Sequence, residues 1–170
     1  MILTRLKSFL LCVLIIPSSL LHKEPKVDKI KHSEILCVIY NAYHEARGEG
    51  LYGMKLVSTV AYNRAKQKGE SLCKTIYKPN QFSWTRAKRL PKVPDSFIYS
   101  FWQTARDIVD GVQVVDDKHK QVFYFHAKRV KPYWHSAVQQ IVVHNNHVFY
   151  GASNEIRSNS SRHRLNNRLG

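Results

Sequence analysis

The sequence predicts an α+β fold, mainly helical with a small antiparallel sheet. Three observations predict it. Apolar residues recur at helical spacing in separate stretches before residue 110. Aromatic and β-branched residues replace that period after residue 121. Asn145-Asn146 then falls between two short strand-like runs, as in a two-residue hairpin turn.

Residues 22–29 are mostly polar, contain Pro25 and read as a linker. Over 30–46, Ile35, Leu36, Ile39, Ala42, Tyr43 and Ala46 recur on one helical face. Ser33-Glu34 resembles a first helical turn, although a start near Asp28 fits as well. Gly48 and Gly50 interrupt this helix. A second helix is expected over 52–68, with Val57, Val60, Ala61 and Arg64 on one face and Gly69 as its stop. A short helical turn over 72–77 ends before Pro79. Residues 79–94 lack a period and are rich in Pro, Lys and Arg, so a long functional loop is expected there. Asp95 is expected to cap a helix running to Val109, with Ile98, Phe101, Ala105 and Ile108 inward and Gly111 closing it. Residues 121–126 are aromatic and strand-like, and 140–144 with 147–151 form the hairpin. The chain then becomes rich in Ser, Asn and Arg. The resulting division is an address or anchor at 1–20, a linker at 21–29, one domain at 30–151 and a disordered basic tail at 152–170.

The 170 residues carry 27 Lys+Arg against 12 Asp+Glu, a formal charge of +15, which implies an anionic partner. With 44% apolar residues, the composition excludes a wholly disordered acidic chain, a collagen and a polytopic membrane protein. Arg5 and Lys7 precede an apolar run at 9–16, and Pro17-Ser18-Ser19 follows, the pattern of a secretory signal. The protein is therefore expected to be exported to the periplasm or cell wall. An uncleaved anchor through 9–16 is the alternative. Removing the address leaves Cys37 and Cys73. In an oxidising compartment these can pair, and two buried thiols are the other reading.

Candidate chemistry emerges by elimination. Ten of the 12 acidic residues have an ordinary explanation in linker, helix end, turn or tail. Glu45 and Glu49 do not. They lie in Tyr43-His44-Glu45-Ala46-Arg47-Gly48-Glu49-Gly50, where an apolar helix ends beside two glycines. A carboxylate there can be partly desolvated, which lifts its pKa toward a value useful for proton donation. His44-Glu45 does not open a zinc-protease motif, because position 48 is Gly rather than His. His126, His135, His144 and His147 have no motif-grade spacing with a third ligand, so no metal is expected. The Gly-x-Ser-x-Gly elbow and phosphate-binding glycine loops are absent.

Several motifs in order then resemble the SleB-type cell wall hydrolase family, whose namesakes are spore cortex-lytic transglycosylases. These are Cys37 through Glu49, Val60-Ala61-Tyr62-Asn63-Arg64, Cys73-Lys74-Thr75-Ile76-Tyr77 with Gln81-Phe82-Ser83-Trp84, and the C-terminal Phe125-His126, Pro132-Tyr133-Trp134 and His147-Val148-Phe149-Tyr150. The resemblance spans residues 36–151. It implies a lysozyme-like fold and cleavage of the MurNAc–GlcNAc β-1,4 bond of peptidoglycan; no cofactor is expected. It also implies that Glu45 is the catalytic carboxyl and that Cys37 and Cys73 form a structural disulfide. The family's spore enzymes carry a wall-binding repeat domain. This chain has only its basic tail in that place.

A glycosidase needs an acid for the leaving oxygen, and a hydrolase usually adds a second carboxylate. Glu49 would neighbour Glu45 if the helix continued past Gly48. With one good carboxylate, a lytic transglycosylase is the expected reading. A hydrolytic muramidase and a non-catalytic wall-binding module are the alternatives. Gln81, Phe82, Ser83 and Trp84 are candidates for the glycan groove, with core packing the competing role for Phe82 and Trp84. Tyr124 and His126 share a strand face and are candidates to bind sugar or orient Glu45. Asn63 and Arg64 are expected to brace the Glu45 turn, and Arg47 to form an ion pair. The basic stretches around Arg86, Lys88, Arg89 and Lys92, and around Lys128, Arg129 and Lys131, suit an anionic wall polymer or a membrane surface. No nucleic-acid motif is present, so no nucleic acid is expected.

Overall fold

The computed structural model describes residues 26–152, and the side chains from Lys31 onward. The expected address, the anchor at 9–16 and all but the first residue of the basic tail lie outside these residues. Among the described residues, four α-helices come first: α1 (Lys26–Ala46), α2 (Gly50–Lys68), α3 (Leu72–Tyr77) and α4 (Asp95–Val109). Three strands follow: β1 (Tyr124–Ala127), β2 (Gln140–His144) and β3 (His147–Tyr150). The fold is α+β, mainly helical, as the sequence predicts.

Helix α1 begins at Lys26, so residues 26–29, expected as linker, are helical. No glycine or proline interrupts the chain between Lys26 and Ala46, and a helix propagates until something stops it. Glu34 is consequently mid-helix rather than in a first turn. Its carboxylate accepts from the backbone N–H of Cys73 at 3.1 Å, at the start of α3. The disulfide between Cys37 and Cys73, with Cα atoms 5.4 Å apart, fixes the same junction covalently.

Helix α2 stops at Gly69, whose φ of 62° is left-handed backbone that glycine adopts without steric cost. The Gly69 N–H donates back to the last turn of the helix. Helix α4 is capped by Pro94, not Asp95. Pro94 takes the extended conformation required before a helix, and Asp95 becomes the first helical residue. There its carboxylate complements the positive end of the helix dipole.

The four helices bury one core, built on Val38, Ile39 and Ala42 of α1, Ala61 of α2, Ile76 of α3, and Phe101 and Ala105 of α4. Phe82 and Trp84, from the connection between α3 and α4, are part of it. That connection was expected to be structureless. Instead it holds a 3-10 turn at Ser83–Arg86, because its two aromatics have a core to enter. A second cluster joins α2 (Leu56, Val57, Val60) to the sheet through Val122 and Phe149.

The sheet is antiparallel in the order β1-β3-β2, so the last strand is central. His144 pairs with His147 across the Asn145-Asn146 turn, as the hairpin reading requires. Asn145 has φ 45°, a left-handed conformation that asparagine tolerates.

Candidate active site

Helix α1 ends one residue after Glu45. Ala42 and Ala46 on the adjoining face are buried to 0% and 1% exposure, which draws the Glu45 side chain in beside them. One helical turn earlier is Asn41, fully buried. Its Oδ1 accepts from Trp84 Nε1 at 2.9 Å. This bond fastens the Ser83–Arg86 turn onto α1 and brings Ser83 to Glu45. Ser83 Oγ donates to Glu45 Oε1 at 3.4 Å.

Burial is the largest influence on Glu45 and pushes its pKa above the ordinary carboxyl range. The Ser83 hydroxyl, the backbone N–H groups of Trp84 and Ser83, and the Arg64 guanidinium all oppose this by favouring the carboxylate. Burial prevails. The result is a carboxyl group held toward its neutral form with donors already placed to receive its charge.

Glu45 lines a cleft of about 760 Å³ together with Arg64, Gln81, Phe82, Ser83 and His126. Phe125, His147, Arg86, Arg129 and Val130 also line it. A smaller cavity of about 170 Å³, between α2 and residues 111–121, is lined by no carboxylate.

Glu49 is placed elsewhere. The helix does not continue through Gly48, and Glu49 becomes the residue preceding α2. Its side chain turns to the β2–β3 hairpin and is buried. Glu49 Oε2 accepts from the Asn146 N–H at 2.9 Å, and Oε1 accepts from Asn146 Nδ2 at 3.3 Å. The Glu49 carbonyl accepts from His144 Nε2 and Asn145 Nδ2. Glu49 thus latches the hairpin to the α1–α2 turn and does not line the cleft.

Tyr124 and His126 do share one face, where both rings pack on Trp134. Only His126 lines the cleft. Its two ring nitrogens lie 2.9 Å from the Tyr150 hydroxyl and from the Ala127 carbonyl. Trp84 lies in the core, stacked on His44 with centroids 4.7 Å apart. Phe82 is also buried, although one edge reaches the cleft.

Asn63 and Arg64 make no hydrogen bond to the Glu45 turn, although the Arg64 charge acts on Glu45. Asn63 Nδ2 donates to the carbonyls of Lys120 and Val122, and Arg64 Nε donates to Phe123 O at 2.7 Å. They therefore hold the chain entering β1. Arg64 in addition lies over the rings of Phe82 and Tyr124 and reaches the cleft beside Glu45. Arg47 forms no ion pair among the described residues; it donates to the Tyr43 carbonyl and lies over the Tyr43 ring.

Sequence reasoning missed His147 as a cleft residue. Its Nδ1 is buried 3.8 Å from Glu49 Oε2, and burial lowers its pKa against the pull of that carboxylate. Strand alternation alone could have placed it on the face of Phe149. Its position in the cleft depends on where the hairpin docks. Among the described residues, no group of three or more His, Cys, Asp or Glu is arranged to hold a metal ion.

Comparison with known proteins yields one family. The model described as Cell Wall Hydrolase matches residues 48–150, which covers α2 through β3. No curated protein and no solved structure matches the chain.

Proposed function

The chain belongs to the Cell Wall Hydrolase family and is on that basis an enzyme of the cell wall; from this premise we propose that it is a lytic transglycosylase with Glu45 as its single acid and base. The substrate is the MurNAc–GlcNAc β-1,4 bond of peptidoglycan. The observation that carries the reading is the contrast between the two carboxyls left by elimination. Glu45 lines the open cleft with its pKa raised by burial, whereas Glu49 is spent on the hairpin.

The steps balance on one carboxyl group. Neutral Glu45 donates its proton to the glycosidic oxygen. The bond from C1 of MurNAc to that oxygen breaks, the electron pair leaves with the GlcNAc 4-hydroxyl, and C1 becomes oxocarbenium-like. The Glu45 carboxylate then takes the proton of the MurNAc C6 hydroxyl. O6 attacks C1 and closes a 1,6-anhydro ring. Glu45 is neutral again, and no water is consumed. While Glu45 is charged, the Ser83 hydroxyl and the backbone N–H groups of Ser83 and Trp84 stabilise it, and Arg64 adds a positive field. Gln81 offers a polar group to the sugars from the cleft wall, and His126 presents its ring there with both nitrogens paired within the protein. The disulfide between α1 and α3 accords with an exported protein. Among the described residues, no helix is long and apolar enough to cross a membrane.

Mass spectrometry of digested sacculi tests the reading. Anhydro-ended muropeptides, lighter by one water than hydrolysed ones, are expected. Reducing ends would make the enzyme a hydrolytic muramidase. Sacculi that bind the protein and stay intact would make it a wall-binding module.

A further inference from the structure

We propose that the cleft carries a reader for the carboxylates of the peptide stems, built from Arg86 and Arg129. The inference rests on the glycan-cleaving assignment above and names which part of the polymer the cleft selects. Arg86 ends the turn that brings Ser83 to Glu45, and Arg129 follows β1 two residues after Ala127. Both line the cleft that holds Glu45. Both are exposed, and neither makes an ion pair among the described residues. Glu45 is the sole acidic side chain lining the cleft among the described residues.

Two unpaired guanidinium groups at the mouth of a cleft set a positive potential there. The sugar rings of the strand are uncharged and give that potential nothing to meet. The peptide stems do, because they carry free carboxylates on their acidic and terminal residues. A guanidinium is a planar fork that matches a carboxylate through two parallel hydrogen bonds. Val130, also lining the cleft and 47% exposed, offers an apolar contact beside Arg129 for the methyl groups of stem alanines. Phosphate on an attached wall polymer presents the same anionic chemistry. Stems are the better match, because a stem is carried by the very MurNAc whose bond is cut.

The test uses the purified full chain on three preparations. These are native sacculi, sacculi whose carboxylates have been converted to methylamides, and sacculi stripped of phosphate polymer with hydrofluoric acid. The parent should release muropeptides from native sacculi at least about tenfold more efficiently than from amidated ones, with the loss in KM. Removing phosphate polymer should leave the rate unchanged. In the paired substitution Arg86→Gln with Arg129→Gln, the ratio between native and amidated substrate should fall toward one. In Arg86→Lys with Arg129→Lys, charge survives without the fork and the ratio should lie between. Equal rates of the parent on native and amidated sacculi would overturn the proposal. So would discrimination that persists in the Gln pair, or a loss that follows phosphate removal. No release from any preparation would instead defeat the glycan-cleaving assignment, and this inference with it.

Discussion

Replacing Trp84 by Phe separates packing from sugar contact at the residue next to Ser83. Trp84 is 8% exposed, and its indole N–H is the hydrogen-bond donor to Asn41 Oδ1. Asn41 is fully buried, and its Nδ2 already has no partner. Removing the indole donor strips the Asn41 amide of its side-chain hydrogen bond, which costs about 1–3 kcal/mol for a buried acceptor. The smaller ring also leaves a gap where Trp84 packs on His44 and Tyr77, adding about 1 kcal/mol. Trp84→Phe should therefore destabilise the protein by about 2–4 kcal/mol. Urea unfolding followed by circular dichroism reads this as a lower midpoint with unchanged slope. Binding of the folded variant to sacculi, measured by sedimentation in the same buffer, should match the parent. Unchanged stability with weakened binding would refute the reasoning and return Trp84 to the glycan face.

Three further outcomes follow from the same geometry. A Cβ on Gly53 would lie 2.4 Å from Glu49 Cβ and 3.1 Å from His144, whereas one on Gly48 would meet nothing within 4 Å. Gly53→Ala should thus cost about 1–3 kcal/mol despite the better helix propensity of alanine, and Gly48→Ala should be nearly neutral; calorimetry that reverses this order would contradict the docked hairpin. Because burial raises the Glu45 pKa, kcat/KM should fall as pH rises through that raised value. Ser83→Ala removes a bond that favours the carboxylate, so this alkaline limb should move to higher pH, and a limb that stays put would count against the pairing. Reducing the Cys37–Cys73 bond, which spans a separation of 36 residues, should lower stability by about 2–4 kcal/mol, seen as a drop in thermal midpoint on adding reductant.

Much of the fold is legible in the sequence wherever the cause is local. Gly69 ends α2 through its own backbone freedom, and the Asn145-Asn146 pair turns the hairpin by its own conformation. The expectation for Asp95 failed by one residue because Pro94, already locked in φ, takes the capping position. Sheet order was not legible, because β1 pairs with the last strand across the 19 residues between Ala127 and His147. The same divide runs through the site. Glu45 is visible as a carboxyl at the end of an apolar helix. The placement of Glu49 and His147 depends on where the hairpin docks, and that of Trp84 on the buried Asn41, which spacing along the chain does not encode.

Glu45→Gln offers the most direct measurement, with muropeptides quantified by mass spectrometry and the thermal midpoint followed across pH. The raised pKa means that the parent has its full Glu45 contribution to stability at acid pH and loses it as pH rises through the folded value. The amide has no such loss, so the variant should gain stability relative to the parent toward neutral pH while releasing no anhydro-ended product. Anhydro ends formed by the variant at the parental rate would contradict the account.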